Sequence, residues 1–144
     1  AEEEKAKAAV LAIRRASDER KAKEMAEGER RRLEAEARER IGMFEEVLEI
    51  EPDDPLATFG MGKAYAQLNQ HAQAIPFFAR STQLQKDYSV AWLNLGQCHE
   101  IVGNWADAVS AYRAGIEAAT RKGDLMPLRE MERRLKSLQA HVAN

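Results

Sequence analysis

The chain has 144 residues, of which 32% are charged and 6% aromatic, and its net charge is -2. That length holds one domain, or one domain with an extension. The near-neutral balance excludes a general pull toward nucleic acid or acidic membranes, and no apolar run approaches the roughly 20 residues that span a bilayer. Cys98 is the single cysteine, so no internal disulfide forms. With no signal-peptide pattern in the sequence, the cytoplasm is the expected compartment.

Residues 1–40 are dominated by Ala, Glu, Lys and Arg, all strong helix formers, and contain no proline. Glu19/Lys23, Glu27/Arg31, Glu34/Arg38 and Glu36/Arg40 are opposite charges one helical turn apart. A long charged helix is expected here, with Gly28 as its weak point and Ser17-Asp18 as a second candidate break. Between Arg14 and Arg32 the only long apolar side chain is Met25, so that stretch has no face to bury in a core. From Leu33 onward an apolar stripe begins: Leu33, Ala37, Ile41, Phe44, Leu48.

Glu51-Pro52-Asp53-Asp54-Pro55 ends that helix. Asp54 followed by Pro55 reads as an N-cap with proline at the first helical position. Helices follow at about 55–69, 71–85, 89–102, 105–122 and 125–142. Pro76 lies inside the second of these and predicts a slight bend. Gly123 suits the left-handed residue that closes a helix, and Asp124 is expected to cap the next one. That last helix carries Leu125, Leu128, Met131, Leu135 and Leu138 on one face. Arg129, Glu130, Arg133, Arg134 and Lys136 are expected on a solvated back.

A spacing of 34 residues connects these helices. Gly62 recurs as Gly96, Ala74 as Ala108 and Phe78 as Tyr112. Ile41, Ile75 and Val109 fall on the same comb, as do Phe44, Phe78 and Tyr112. Small residues meet small ones and large apolar residues meet large ones. Such a period marks a stack of helix pairs, because one pair cannot bury its apolar face alone. Gly96 and Ala108 let two helices approach closely, and Phe78 and Tyr112 fill the gaps between neighbouring pairs.

The period and the residues on it resemble the tetratricopeptide repeat family. The best copy is Trp92-Leu93-Asn94-Leu95-Gly96, then Ala108, then Tyr112. The preceding copy keeps Gly62, Tyr65, Ala74 and Phe78, with Thr58 where the Trp would stand. An earlier copy keeps only its second half, Ile41, Phe44, Val47 and Pro52. The expected fold is all-α: a right-handed α-α superhelix of such helix pairs, with a long charged N-terminal helix and a C-terminal capping helix. The expected organisation is a charged extension over 1–34 and a repeat domain over 35–144. The latter divides into a half-repeat at 35–54, repeats at 55–88 and 89–122, and a cap helix at 124–142.

The resemblance implies a concave groove lined by the first helix of each pair. Carried over by position, its lining is Leu56, Phe59, Lys63 and Gln67, then Val90, Leu93, Asn94, Gln97 and Ile101. This mix of apolar and amide side chains with one cation suits an extended peptide or a partner helix. Core packing is the competing role for Phe59, Leu93 and Ile101. Asn94 and Lys63 are candidates for a carboxylate clamp of the kind some relatives carry, but the cap helix has no Lys/Arg pair to complete it.

Other motifs carry less. Arg30-Arg31-Arg32 is diluted by Glu27, Glu29, Glu34 and Glu36 and reads as a solvated helix face. His71, His99 and His141 lie on separate elements, and Cys98 matches Ala64, a small core position. Gly60-Met61-Gly62-Lys63 lacks the length and the Ser or Thr of a phosphate loop. No cofactor or metal site is expected. The expectation is a non-enzymatic module binding a protein or peptide, with nucleic acid and membrane excluded. Two alternatives stand beside it: a homo-oligomer assembling through residues 1–50, and a repeat body joined to another domain by a rigid helical spacer.

Overall fold

A computed structural model describes residues 1–143. Among the described residues there are six helices and no strand: α1 (Glu2–Ile50), α2 (Pro55–Gln67), α3 (His71–Leu84), α4 (Ser89–Ile101), α5 (Trp105–Lys122) and α6 (Leu125–Ala143). The chain forms two compact units, residues 1–36 and the part from Ala37 onward.

The first unit is helix alone. Neither Gly28 nor Ser17-Asp18 interrupts it, contrary to the sequence expectation. The turns around Gly28 are bridged by Arg31–Glu27 at 3.9 Å, Arg30–Glu34 at 3.3 Å and Arg32–Glu36 at 2.8 Å, and Arg32 also holds Glu29. These pairs offset part of the backbone freedom that glycine introduces. The arrangement differs in detail from the expected pairs. Glu36 is taken by Arg32, and the Arg40 guanidinium, in the second unit, donates to the Gln67 side-chain oxygen of α2.

In the second unit each helix packs on its neighbours in sequence, α2 on α3, α3 on α4, α4 on α5 and α5 on α6, with α6 also touching α4. The boundaries have local causes. Asp54 caps α2, its carboxylate accepting from the Ala57 N–H at 2.8 Å, with Pro55 next to it. Thr58, in the place of the family Trp, is buried and donates to the Asp54 carbonyl at 2.8 Å. Gly123 closes α5 at φ 79°, the left-handed region where glycine has no side-chain penalty. Asp53 and Asp87 stand one period apart in equivalent turns. Each pairs with an arginine from a later helix, Asp53 with Arg80 and Asp87 with Arg121 at 3.0 Å.

The comb becomes packing. A Cβ added at Gly62 would lie 2.7 Å from the Phe78 ring, and one added at Gly96 would run into the Tyr112 ring. One added at Gly60 would meet Phe44 in the same way. Two core clusters result. Ala74, Phe78, Leu95, Cys98 and Ala111 form the first, and Ala108, Tyr112, Ala119, Met131 and Leu138 the second. The second is closed by α6, though not quite as its stripe predicts. Met131 and Leu138 are buried, whereas Leu125 at the start of the helix is exposed. Its polar face is also less solvated than expected. Arg134 is half-buried and turns inward, 2.7 Å from Glu130 and 3.8 Å from Glu100 of α4.

Candidate protein-binding surface

The nine groove positions fall on the first helices of two pairs. Leu56, Phe59, Lys63 and Gln67 follow steps of three and four along α2, so they share one helix face. Val90, Leu93, Gln97 and Ile101 repeat those positions one period later on α4, and Asn94 adds a fifth to that helix. The ladder is therefore regular in sequence, but its rungs differ in environment.

Leu56 is 76% exposed and Ile101 61% exposed. Lys63 and Gln67 are exposed as well, and Gln67 is held by Arg40. Val90, Leu93, Asn94 and Gln97 are half-buried. The Asn94 amide donates to the Val90 carbonyl at 2.8 Å, so its carboxamide nitrogen is engaged within the helix. Phe59 packs tilted against Phe78, with centroids 5.6 Å apart and ring planes at 57°, and meets Tyr88 edge-on at 4.9 Å. Phe59 and Leu93 both pack at the edge of the core clusters. The two aromatic and aliphatic centres of the ladder thus support the fold, and Leu56, Lys63, Gln67 and Ile101 present the accessible chemistry.

A concavity of about 660 Å³ opens at one end of this ladder. Leu56 and Phe59 line it from α2, Lys86 and Tyr88 from the turn between α3 and α4, and Lys122 from the end of α5. Burial pushes the Tyr88 phenol above its ordinary pKa. The Trp92 indole donates to the Lys86 carbonyl at 3.0 Å and fixes that turn. Sequence reasoning missed Lys86, Tyr88 and Lys122. The comb held a signal, because Asp54, Tyr88 and Lys122 share one register and successive turns return to the same edge of a stack.

Two buried ionisable side chains elsewhere, Tyr112 and Cys98, are held within the core. The Tyr112 hydroxyl donates to Glu100 at 2.7 Å, and burial first, then that carboxylate, push its pKa far above the phenol range. Cys98 is buried and its thiol is pushed up to about 11 by burial, with His71 Nδ1 at 3.9 Å. A thiol so protonated is a poor nucleophile. Among the described residues no helix is long and apolar enough to cross a membrane.

Comparison with known proteins agrees with the helical-repeat fold. A family model described as tetratricopeptide repeat matches residues 59–88. A TPR repeat-containing protein of Pseudomonas aeruginosa is 30% identical over 88 residues, covering 61% of this chain and 84% of that protein. The heat-shock protein cognate co-chaperone sgt12 of Aspergillus fumigatus is 30% identical over 83 residues. The match covers 58% of this chain and 24% of the co-chaperone, about a quarter of its length. The solved TPR domain of Sgt2 from Aspergillus fumigatus superposes with a TM-score of 0.61 at 25% identity over 80% of each chain.

Proposed function

The chain belongs to the tetratricopeptide repeat family, and from that premise we propose that it is a non-enzymatic module that binds a peptide or a partner helix along the first-helix faces of its repeats. Residues 35–144 would be the repeat body and residues 1–34 a charged extension, working in the cytoplasm. The observation that carries this reading is the ladder itself. Side chains at matched positions of α2 and α4 leave Leu56, Lys63 and Ile101 open to a partner. Aliphatic anchors flanked by a cation and amides fit a segment read through side-chain pockets and hydrogen bonds. The similarity to a heat-shock protein cognate co-chaperone points the same way.

A displayed peptide library selected on the full chain tests the reading. Selected peptides should bind at least about tenfold more weakly when Lys63→Glu and Gln97→Ala are combined, the scale of a single interface anchor. The thermal midpoint should hold, because Lys63 is exposed and Gln97 half-exposed. Failure to enrich any sequence, or equal binding by the variant, would sink the assignment. Phe59→Ala is a poor probe, since that ring packs on Phe78 and Tyr88.

A second reading is self-assembly through residues 1–50. It is favoured by Met43, Val47 and Ile50, exposed apolar residues on one stretch of α1. The helix that would pair with this half-repeat in a full repeat is replaced by the continuation of α1. Light scattering on the full chain separates the two readings, since only the second expects a stable oligomer that Ile50→Ser dissolves.

A further inference from the structure

We infer that the concavity at the start of α2 is a subsite for an acidic-apolar peptide segment, in which a large aliphatic side chain stands one or two residues from a carboxylate. The inference rests on the proposed peptide-binding role of the α2 and α4 surface and adds the chemistry selected at one end of it.

The apolar half of the argument is the wall. Phe59 and Tyr88 meet edge to face at 4.9 Å and hold each other in place. Leu56 stands beside them on the first turn of α2, mostly exposed, at the mouth of a hollow of about 660 Å³. An apolar wall bordered by a few placed polar groups, here Gln85, Lys86, Asp87 and Lys122, is a usual setting for a side-chain anchor with a polar neighbour. An aliphatic group seated there would remove both itself and Leu56 from water.

The other half is charge. The carboxylates of the adjoining turns are already engaged. Asp53 holds Arg80, Asp54 accepts from the Ala57 N–H at 2.8 Å, and Asp87 holds Arg121 at 3.0 Å. Asp124 accepts from the Ser89 hydroxyl at 2.6 Å. The cations on the rim are less satisfied. No ion pair or hydrogen bond among the described residues engages the Lys86 ammonium. Lys122 has Asp124 at 3.9 Å, a carboxylate already shared with Ser89. Of the residues that line the hollow itself, Lys86 and Lys122 are positive and Asp87 alone is negative, and Asp87 is paired with Arg121, so the lining carries a net positive charge. A carboxylate held near the seated aliphatic group would lie between two ammonium groups, and a basic peptide of the same shape would be repelled. This chain carries similar chemistry at Glu49-Ile50-Glu51, where Ile50 is 83% exposed. A second copy is therefore the competing occupant.

The test is a titration of the ¹⁵N-labelled full chain with an acetylated and amidated peptide, Ser-Ala-Leu-Glu-Ala-Ser. Two control peptides replace the Glu by Lys or the Leu by Ser. The glutamate peptide should shift the amides of Leu56, Lys86, Tyr88 and Lys122 saturably. It should bind at least about threefold more tightly than the lysine peptide at low salt, with the gap narrowing as salt is added. Lys86→Glu combined with Lys122→Glu should reverse that preference. Both lysines are exposed, and unchanged shifts over residues 106–116 of α5 and 128–138 of α6, away from the substituted positions, would report an intact fold. Equal response to the glutamate and lysine peptides, or no response at these amides, overturns the subsite. Shifts confined to Lys63, Asn94 and Gln97 overturn it too, while leaving the wider surface reading standing. Shifts of the same amides with protein concentration alone, abolished by Ile50→Ser, would assign the hollow to a second copy and also overturn the peptide proposal.

Discussion

At Gly96 a hydrogen atom decides how closely α4 can lie on α5, because any Cβ there would enter the Tyr112 ring. Gly96→Ala should lower stability by about 1–3 kcal/mol, the usual cost of overpacking a formed core. Gly28 is the control with the opposite sign. Nothing lies within 4 Å of a Cβ added there, so Gly28→Ala should stabilise the helix by about 0.5–1 kcal/mol. Urea titration followed by circular dichroism reads both. Tyr112 gives a pH signature. Its folded pKa is raised, so it favours the native state in full below the unfolded phenol value of about 10. That contribution is lost as pH climbs above this value, since only the native state keeps the proton. Tyr112→Phe should lose about 1 kcal/mol at pH 7 with its hydrogen bond to Glu100, and should flatten the alkaline decline of the thermal midpoint. An equally steep decline in the variant would place its cause elsewhere.

The helices show what a sequence can disclose about its fold and what it cannot. The comb identified the pairs because Gly62 with Phe78, and Gly96 with Tyr112, are contacts between residues a fixed distance apart in sequence. The ends of α2 and α5 were legible because Asp54, Pro55 and Gly123 act locally through their own backbone. Asp54→Ala should accordingly cost about 1 kcal/mol, measurable as a drop in thermal midpoint, by leaving the Ala57 N–H without its acceptor. What was not legible depends on contacts between distant residues. The inward turn of Arg134 needs Glu100 in place, and the continuity of α1 through Gly28 depends on which of several Arg–Glu pairings wins. The site divides in the same way. Its nine positions could be placed on two helix faces from spacing, but the roles of Phe59 and Leu93 as packing residues could not. The hollow beside Leu56 gathers three turns far apart in sequence.

For the whole molecule, function reduces to which surface is left over once the stack has buried what it can. Contacts run mainly between successive helices, so each pair spends one side on its neighbours and leaves another open. Large aliphatic side chains remain open at Leu56 and Ile101, at opposite ends of the two first helices. A peptide lying along α2 and α4 would cover both. The most direct measurement is photo-crosslinking of a library-selected peptide to full chains carrying a benzophenone amino acid at position 63 of α2 or, as a control, at position 113 of α5. Adducts from position 63 and none from position 113 are the predicted result. Adducts from position 113 alone, or from neither, would contradict a binding surface built on the first helices.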